Sequence, residues 1–149
     1  MNKLIFLVGL PGSGKTTYAH ENLAQDCEIF SSDRIRFELF GNENNQSDNN
    51  LVFNTLFERA KEVLKQGKNV VIDATNVDFV ERAQALKHFK DLDVYRIAIV
   101  FDVPVEICVE RDQQRTRTVG VDVIKKFDTR FVMPTKAEGF DEIIIITQA

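Results

Sequence analysis

Five short runs of apolar, largely β-branched residues recur along the chain, at Leu4–Val8, Glu28–Ser32, Asn69–Ile72, Val94–Phe101 and Glu142–Thr147, and each reads as a β-strand. The runs are nearly unbroken rather than alternating, which is the pattern of parallel strands covered on both faces. Between them the pattern switches to a helical period. Its clearest instance is Phe53, Leu56, Phe57, Ala60, Val63 and Leu64, spaced three and four apart and followed by Gly67, where a helix takes a left-handed cap. That spacing predicts an amphipathic helix with one buried stripe. A second helix is expected over Val77–Lys90, with Asp78 able to cap it. Alternating strands and helices predict an α/β domain, a doubly wound five-stranded parallel sheet flanked by helices on both faces. By contrast, Gly41–Asn50 is wholly polar and half asparagine, so it is expected to form a mobile loop, either a connector or a gate over a substrate.

Composition narrows the class without changing this picture. A chain of 149 residues with 44% hydrophobic and 28% charged residues fits one globular domain, here taken as 1–149, and excludes disordered and fibrous classes. Cys27 and Cys108 are far apart and have no metal-ligand spacing, so neither a disulfide framework nor a zinc site is suggested. No apolar stretch approaches the roughly 20 residues of a membrane span, and the first apolar run is too short for a signal peptide. A soluble protein in a reducing cytoplasm is expected. The net charge of −4 argues against coating a polynucleotide through bulk charge, so any such contact must be local. His20 and His88 are assigned to the surface, with no chemistry attached.

The sharpest chemical signal is Gly9-Leu10-Pro11-Gly12-Ser13-Gly14-Lys15-Thr16, which matches G-x-x-x-x-G-K-[ST] between a strand and a helix that starts near Lys15. Polyphosphate must be met closely by backbone N–H groups, and glycines permit this because they lack Cβ and tolerate positive φ. The following helix adds its positive end. Lys15 is expected between the outer two phosphates of ATP and the Thr16 hydroxyl on Mg²⁺, with Pro11, Ser13 and Thr17 also counted in the nucleotide cradle. A guanine-specific switch is disfavoured, because the nearest match to [NT]-K-x-D, Thr135-Lys136-Ala137-Glu138, ends in Glu and follows Pro134.

Asp33 and Asp73 each stand just past a strand run, and in a parallel sheet both positions open onto the edge that carries the phosphate loop. Transfer of a phosphoryl group to an alcohol needs a carboxylate to take the hydroxyl proton, and Asp33 is the choice for that base. Asp73 suits a water-mediated partner of Mg²⁺ or an orienting ion pair. The plain alternative for either is a helix N-cap. Ala74-Thr75-Asn76 then offers small, hydrogen-bonding side chains that either line an acceptor pocket or serve as turn chemistry before the next helix.

From Arg111 to Lys136, seven basic residues (Arg111, Arg115, Arg117, Lys125, Lys126, Arg130, Lys136) face three acids, a local charge of +4 in an acidic protein. Asp102 and Pro104 predict a helix start, which places Arg111 and Arg115 one turn apart on one helical face. Two guanidiniums so placed suit one polyphosphate, since the planar fork pairs bidentately with phosphate oxygens. A basic lid is therefore expected around 111–120. Lys125 and Lys126 read as a solvated face.

These residues resemble the small P-loop phosphotransferases, and most closely the kinase domain of bacteriophage-type 5′-hydroxyl polynucleotide kinases. The resemblance spans nearly the whole chain and rests on Gly9–Thr16, Ser32-Asp33 with Arg36, Asp73-Ala74-Thr75-Asn76, Phe101-Asp102-Val103-Pro104, and Arg111 with Arg115. It implies a P-loop kinase sheet with the first strand central, Asp33 as general base, Arg36 on a phosphate of the acceptor strand, Asp73 in support of the acceptor site, and Arg115 on the donor phosphates. The implied acceptor is a 5′-hydroxyl RNA or DNA end, with any phosphatase or ligase step left to a separate partner. Two departures stand out. Val119-Gly120 lacks the proline that often follows the valine, and no Lys or Arg occurs from Phe37 to Glu58, where an acceptor strand would meet the protein. The competing acceptor is a small alcohol such as a sugar acid, nucleoside or antibiotic. A module that binds or hydrolyses ATP without transfer is a third reading, disfavoured by Asp33 and the lid arginines.

Overall fold

The structure, a computed structural model, describes residues 1–116 and 118–147. Arg117 of the expected basic lid lies outside the described residues. Five strands form one parallel sheet: β1 (Lys3–Val8), β2 (Cys27–Ser31), β3 (Asn69–Asp73), β4 (Tyr95–Phe101) and β5 (Glu142–Ile146), in the order β2-β3-β1-β4-β5. The central position of β1 follows from its composition. Leu4, Phe6 and Val8 pack on one face against Val52, Leu56 and Ala60, while Ile5 and Leu7 pack on the other against Ala19. A strand with both sides in apolar cores can only be read as an unbroken apolar run.

Helices α1 (Lys15–Asn22), α2 (Ser32–Phe40), α3 (Asn49–Lys65), α4 (Phe79–Lys87), α5 (Val105–Gln113) and α6 (Val121–Arg130) complete the fold. The expected stripe on α3 is buried at Val52, Leu56, Phe57, Ala60 and Leu64, and Gly67 follows at φ 82°. A third apolar cluster of Leu10, Val77, Val103, Cys108 and Ile124 joins the phosphate-loop segment to α5 and α6.

Four expectations need correction. The polar stretch 41–50 is shorter as a loop, because the Asp48 carboxylate accepts from Leu51 N–H (3.0 Å) and starts α3 at Asn49. The asparagines before it build turns, with Asn42 and Asn45 side chains accepting from Asn44 and Ser47 N–H, both at 2.9 Å. The helix expected over 77–90 runs only over Phe79–Lys87: Asp78 does cap it through Glu81 N–H (2.8 Å), and from His88 the chain tightens into i→i−3 bonds to Ala85 and Leu86. Arg115 is not on a helix with Arg111. α5 ends at Gln113, because the buried Asp112 carboxylate captures the N–H groups of Val119 and Gly120, both at 2.9 Å, and turns the chain back. Finally, β5 is apolar but not covered on both faces: Ile144 and Ile145 are 36% and 52% exposed on an edge strand.

Candidate active site

The carboxyl ends of the strands open into a cleft of about 1660 Å³. Ligand pockets are usually about 300–1,000 Å³, so this one has room for two ligands side by side. At its floor the phosphate loop leaves β1 and turns into α1. Gly12 (φ 84°) and Gly14 (φ 92°) adopt left-handed geometry, which aims successive N–H groups inward and is strained for any residue with a Cβ. Gly12 also lies directly on α5: a Cβ there would sit 2.5 Å from the Cys108 carbonyl oxygen. Pro11, Gly12, Gly14, Lys15, Thr16 and Thr17 line the cleft. Gly9 and Ser13 pack against each other inside the loop, where a Cβ on Gly9 would meet Ser13 Oγ at 2.7 Å. Ser13 Oγ finds no hydrogen-bond partner among the described residues.

Lys15 is buried, with its Nζ 3.3 Å from the Leu10 carbonyl it donates to. Burial pushes the ammonium below its ordinary pKa, against the pull of the Asp73 and Asp33 carboxylates. A cation desolvated this way gains more from an arriving polyphosphate than a surface lysine would. Across from it, the Thr16 hydroxyl donates to Asp73 Oδ2 at 2.8 Å. This hydroxyl–carboxylate pair, beside inward-facing N–H groups and a buried lysine, fits a nucleotide polyphosphate with its Mg²⁺.

The capping alternative fails for both strand-end acids. Ser31 caps α2 by accepting from Arg34 N–H (3.4 Å), which leaves Asp33 in the first turn with its side chain 46% exposed toward the cleft. Asp73 is the last residue of β3, and the next helix is capped by Asp78. The pairing of Ser31 with Asp73 in the β2–β3 register puts the two carboxylates at neighbouring strand ends. Arg36 is 8% exposed and joins α2 to α3: Nη1 donates to Asp33 Oδ1 (3.1 Å), and Nε and Nη2 donate to Asn49 Oδ1 (3.3 and 3.2 Å).

Beyond Asp73, Thr75 lines the cleft while its carbonyl accepts from Gly9 N–H at 3.0 Å. Asn76 is also on the cleft wall, yet its amide nitrogen donates to the Leu7 (2.8 Å) and Ala74 (3.3 Å) carbonyls and its backbone is left-handed at φ 49°. Its amide N–H groups thus serve the turn. Arg111 and Arg115 enter from the opposite wall, and Arg115 sits 3.6 Å from Asp112.

A model of the AAA domain family (AAA_33) matches residues 4–134. The chain belongs to this AAA-domain family. Its fold is that of the P-loop kinases. Among solved structures, this AAA domain is similar to a chain of the Pnkp1/Rnl/Hen1 RNA repair complex, with a TM-score of 0.77 and 27% identity over 87% of this chain and 43% of that one. Among curated proteins, it is 28% identical to the Arabidopsis thaliana transcription factor bHLH140, over 95% of this chain and 15% of that protein. It is 26% identical to the L-seryl-tRNA(Sec) kinase of Methanococcus maripaludis, over 93% of this chain and 56% of that protein. The AAA domain thus spans a small part to little more than half of the relatives it matches. No helix among its described residues is long and apolar enough to cross a membrane.

Several residues that shape the cleft carry no local motif. Asn49 anchors Arg36 from another helix. Arg82, fully buried, donates through Nη1 to the Asn76 carbonyl (2.9 Å) and through Nε and Nη2 to Glu138 (2.8 and 3.3 Å), so it braces the turn that follows Asp73. Glu138 is the last residue of a short 3₁₀ turn, Lys136–Glu138, and it also accepts from the N–H of the capping Thr135 at 2.7 Å. His88, assigned to the surface by sequence, is half-buried against the Phe57 ring at 4.9 Å and lines the cleft.

Proposed function

We propose that this AAA domain is an ATP-dependent phosphotransferase that moves the γ-phosphate of ATP to the 5′-hydroxyl of RNA or DNA. One observation carries the reading: a single cleft holds both a polyphosphate cradle and Asp33, a carboxylate freed from helix capping and backed by a nearly buried arginine. In this reading the acceptor hydroxyl gives its proton to Asp33 as its oxygen bonds to the γ-phosphorus, and the bond from that phosphorus to the ADP oxygen breaks. Lys15 and the backbone of the loop hold the donor phosphates. Arg111 and Arg115, carried by a lid at 111–120 of a domain spanning 1–149, hold them from the other side. Thr16, with Asp73 and Asp33 acting through water, would hold Mg²⁺, which neutralises charge on the outer phosphates. Arg36 would meet a phosphate of the acceptor, with Asp73, Thr75 and Asn76 around its sugar.

The 27% identical chain of an RNA repair complex supports a polynucleotide acceptor, and a separate ligase or phosphatase would then complete the repair of an end. The absence of Lys and Arg from Phe37 to Glu58, with Glu43 on the cleft wall, favours a second reading in which the acceptor is a small alcohol. Transfer from γ-labelled ATP separates the two. A 5′-hydroxyl oligonucleotide, with and without its first 3′-phosphate, is run beside sugar acids, nucleosides and aminoglycosides. Label on the oligonucleotide, with a preference for the 3′-phosphate, supports the first reading. Label only on the small alcohols ends it, and hydrolysis with no labelled acceptor favours a non-transferring ATPase.

A further inference from the structure

Of the acids on α5, Glu106 and Glu110 are exposed, whereas Asp112 is only 1% exposed. Its carboxylate meets both limbs of the loop that follows. Oδ1 accepts from Val119 N–H at 2.9 Å and stands 3.6 Å from Arg115 Nη1. Oδ2 accepts from Gly120 N–H at 2.9 Å and from Val119 N–H at 3.2 Å. Ending a helix does not require a buried charge. In the same chain α2 ends at Gly41 and α3 is followed by Gly67, both in left-handed geometry, with no carboxylate taken out of water. Burying one is costly unless polar and charged partners offset it, so the negative charge calls for a use beyond the turn.

That use lies in where Arg115 stands. Its side chain lines the cleft across from the loop that carries Lys15. The two cations feel one another: burial is the chief cause of the lowered Lys15 pKa, and the Arg115 charge lowers it further. Like charges facing each other across a cleft repel, and a long arginine swings out into water unless an anion holds it. Asp112 is the carboxylate that pairs with Arg115 among the described residues. Because it is almost dry, it attracts a guanidinium more strongly than a surface acid does. Because two backbone N–H groups fix it, it also sets the place to which the guanidinium is drawn.

We infer that Asp112 is a positioning residue, which holds the Arg115 guanidinium beside the cradle so that it meets the donor phosphates already ordered. The inference rests on the reading above in which Arg115 grips the donor, and adds the residue through which that grip is placed. Asp112 is not among the residues that line the cleft, so it acts through Arg115.

Asp112→Asn separates the two roles of the carboxylate. Its amide oxygen, in the place of Oδ2, still accepts from Gly120 and Val119, while a neutral NH2 replaces the charge beside Arg115. Asp112→Asn, Arg115→Ala and the double variant are compared by titration calorimetry with ATP and by single-turnover transfer from γ-labelled ATP to a 5′-hydroxyl oligonucleotide. Urea melts of each monitor the fold. Asp112→Asn should slow transfer about 10- to 100-fold, the scale on which a misplaced gripping group is felt, and weaken ATP binding in the same sense as Arg115→Ala. In the double variant the losses should not multiply. With Arg115 gone there is nothing left for Asp112 to place, so rate and affinity should match those of Arg115→Ala alone. A role in ending the helix would instead lower the urea midpoint in either background and leave the two losses independent. Multiplied losses, wild-type rate and affinity in Asp112→Asn, or an Arg115→Ala variant indistinguishable from wild type would each overturn the inference. The calorimetric arm needs no acceptor. If no 5′-hydroxyl strand takes label, the acceptor reading falls, and the coupling of Asp112 to Arg115 is decided by ATP affinity across the three variants.

Discussion

Arg82 and Glu138 form a buried ion pair whose loss can be predicted in some detail. Neither side chain is more than 4% exposed, two hydrogen bonds join them at 2.8 and 3.3 Å, and Arg82 holds the Asn76 carbonyl at 2.9 Å as well. Arg82→Met removes three donors and strands a carboxylate that is almost wholly buried, a change that typically costs about 3–5 kcal/mol. Against a total stability of about 5–15 kcal/mol, that is a large share. With a urea m-value of about 2 kcal/mol/M, the unfolding midpoint should fall by about 1.5–2.5 M. Glu138→Gln should cost a similar amount by stranding the guanidinium. The double variant carries neither charge and retains an amide oxygen for Thr135 N–H, so it should fall short of the summed single losses by at least about 2 kcal/mol. Urea melts of all four proteins, followed by circular dichroism, complete the cycle. Strict additivity would refute the claim that each charge is stable only because of the other. Because Arg82 also braces the turn after Asp73, variants still folded should show a higher acceptor KM at unchanged ATP affinity.

Asp33→Asn should lower kcat by about 10²–10⁴ with ATP binding unchanged, measured by single-turnover transfer and by titration calorimetry; retained turnover would remove Asp33 as the base. Gly12→Ala and Gly67→Ala start from nearly equal φ values, 84° and 82°, but only Gly12 would press a Cβ onto backbone. Gly67→Ala should cost about 1 kcal/mol by thermal melts, whereas Gly12→Ala should cost more and abolish nucleotide binding; equal costs would contradict the close approach to Cys108. Burial lowers the Lys15 pKa from 10.5, and bound phosphates favour its charged form. Nucleotide binding should therefore take up a proton at pH values above that lowered pKa, and affinity should decline as pH rises through the window. Calorimetry in two buffers of different ionisation heat reads the uptake, which Lys15→Met should lack; equal uptake in the variant would refute the assignment.

The parts of this fold that could be read from the chain are those whose cause is local. Strand β1 is an apolar run because both its faces are covered, and the phosphate loop is eight consecutive residues whose glycines answer to backbone geometry. Asp33 and Asp73 were legible because parallel strands deliver their carboxyl ends to one edge. The rest depends on partners distant in sequence. Arg82 and Glu138 are 56 residues apart, and nothing near either one announces the pair. Asp112 looks like an ordinary helical acid, yet it ends α5 by reaching Val119 and Gly120, which is why Arg115 leaves the helix that its spacing suggested. Phe53 and Phe57 fit the apolar stripe of α3, but periodicity reports only that a face avoids water and does not separate a core from the wall of a cleft. The apolar run of β5 marks a strand without revealing that Ile145 is left half exposed.

The contact between Gly12 and the carbonyl of Cys108 has a mechanical consequence. Helix α5 bears the bend of the phosphate loop near its middle and carries Arg111 near its end, with Arg115 two residues past it. Any tilt of that rod must drag the bend along, since there is no slack between them. If the proposed function holds, the cradle and Arg111 would be two jaws cast on one handle, so that a tilt of α5 would move both together rather than apart.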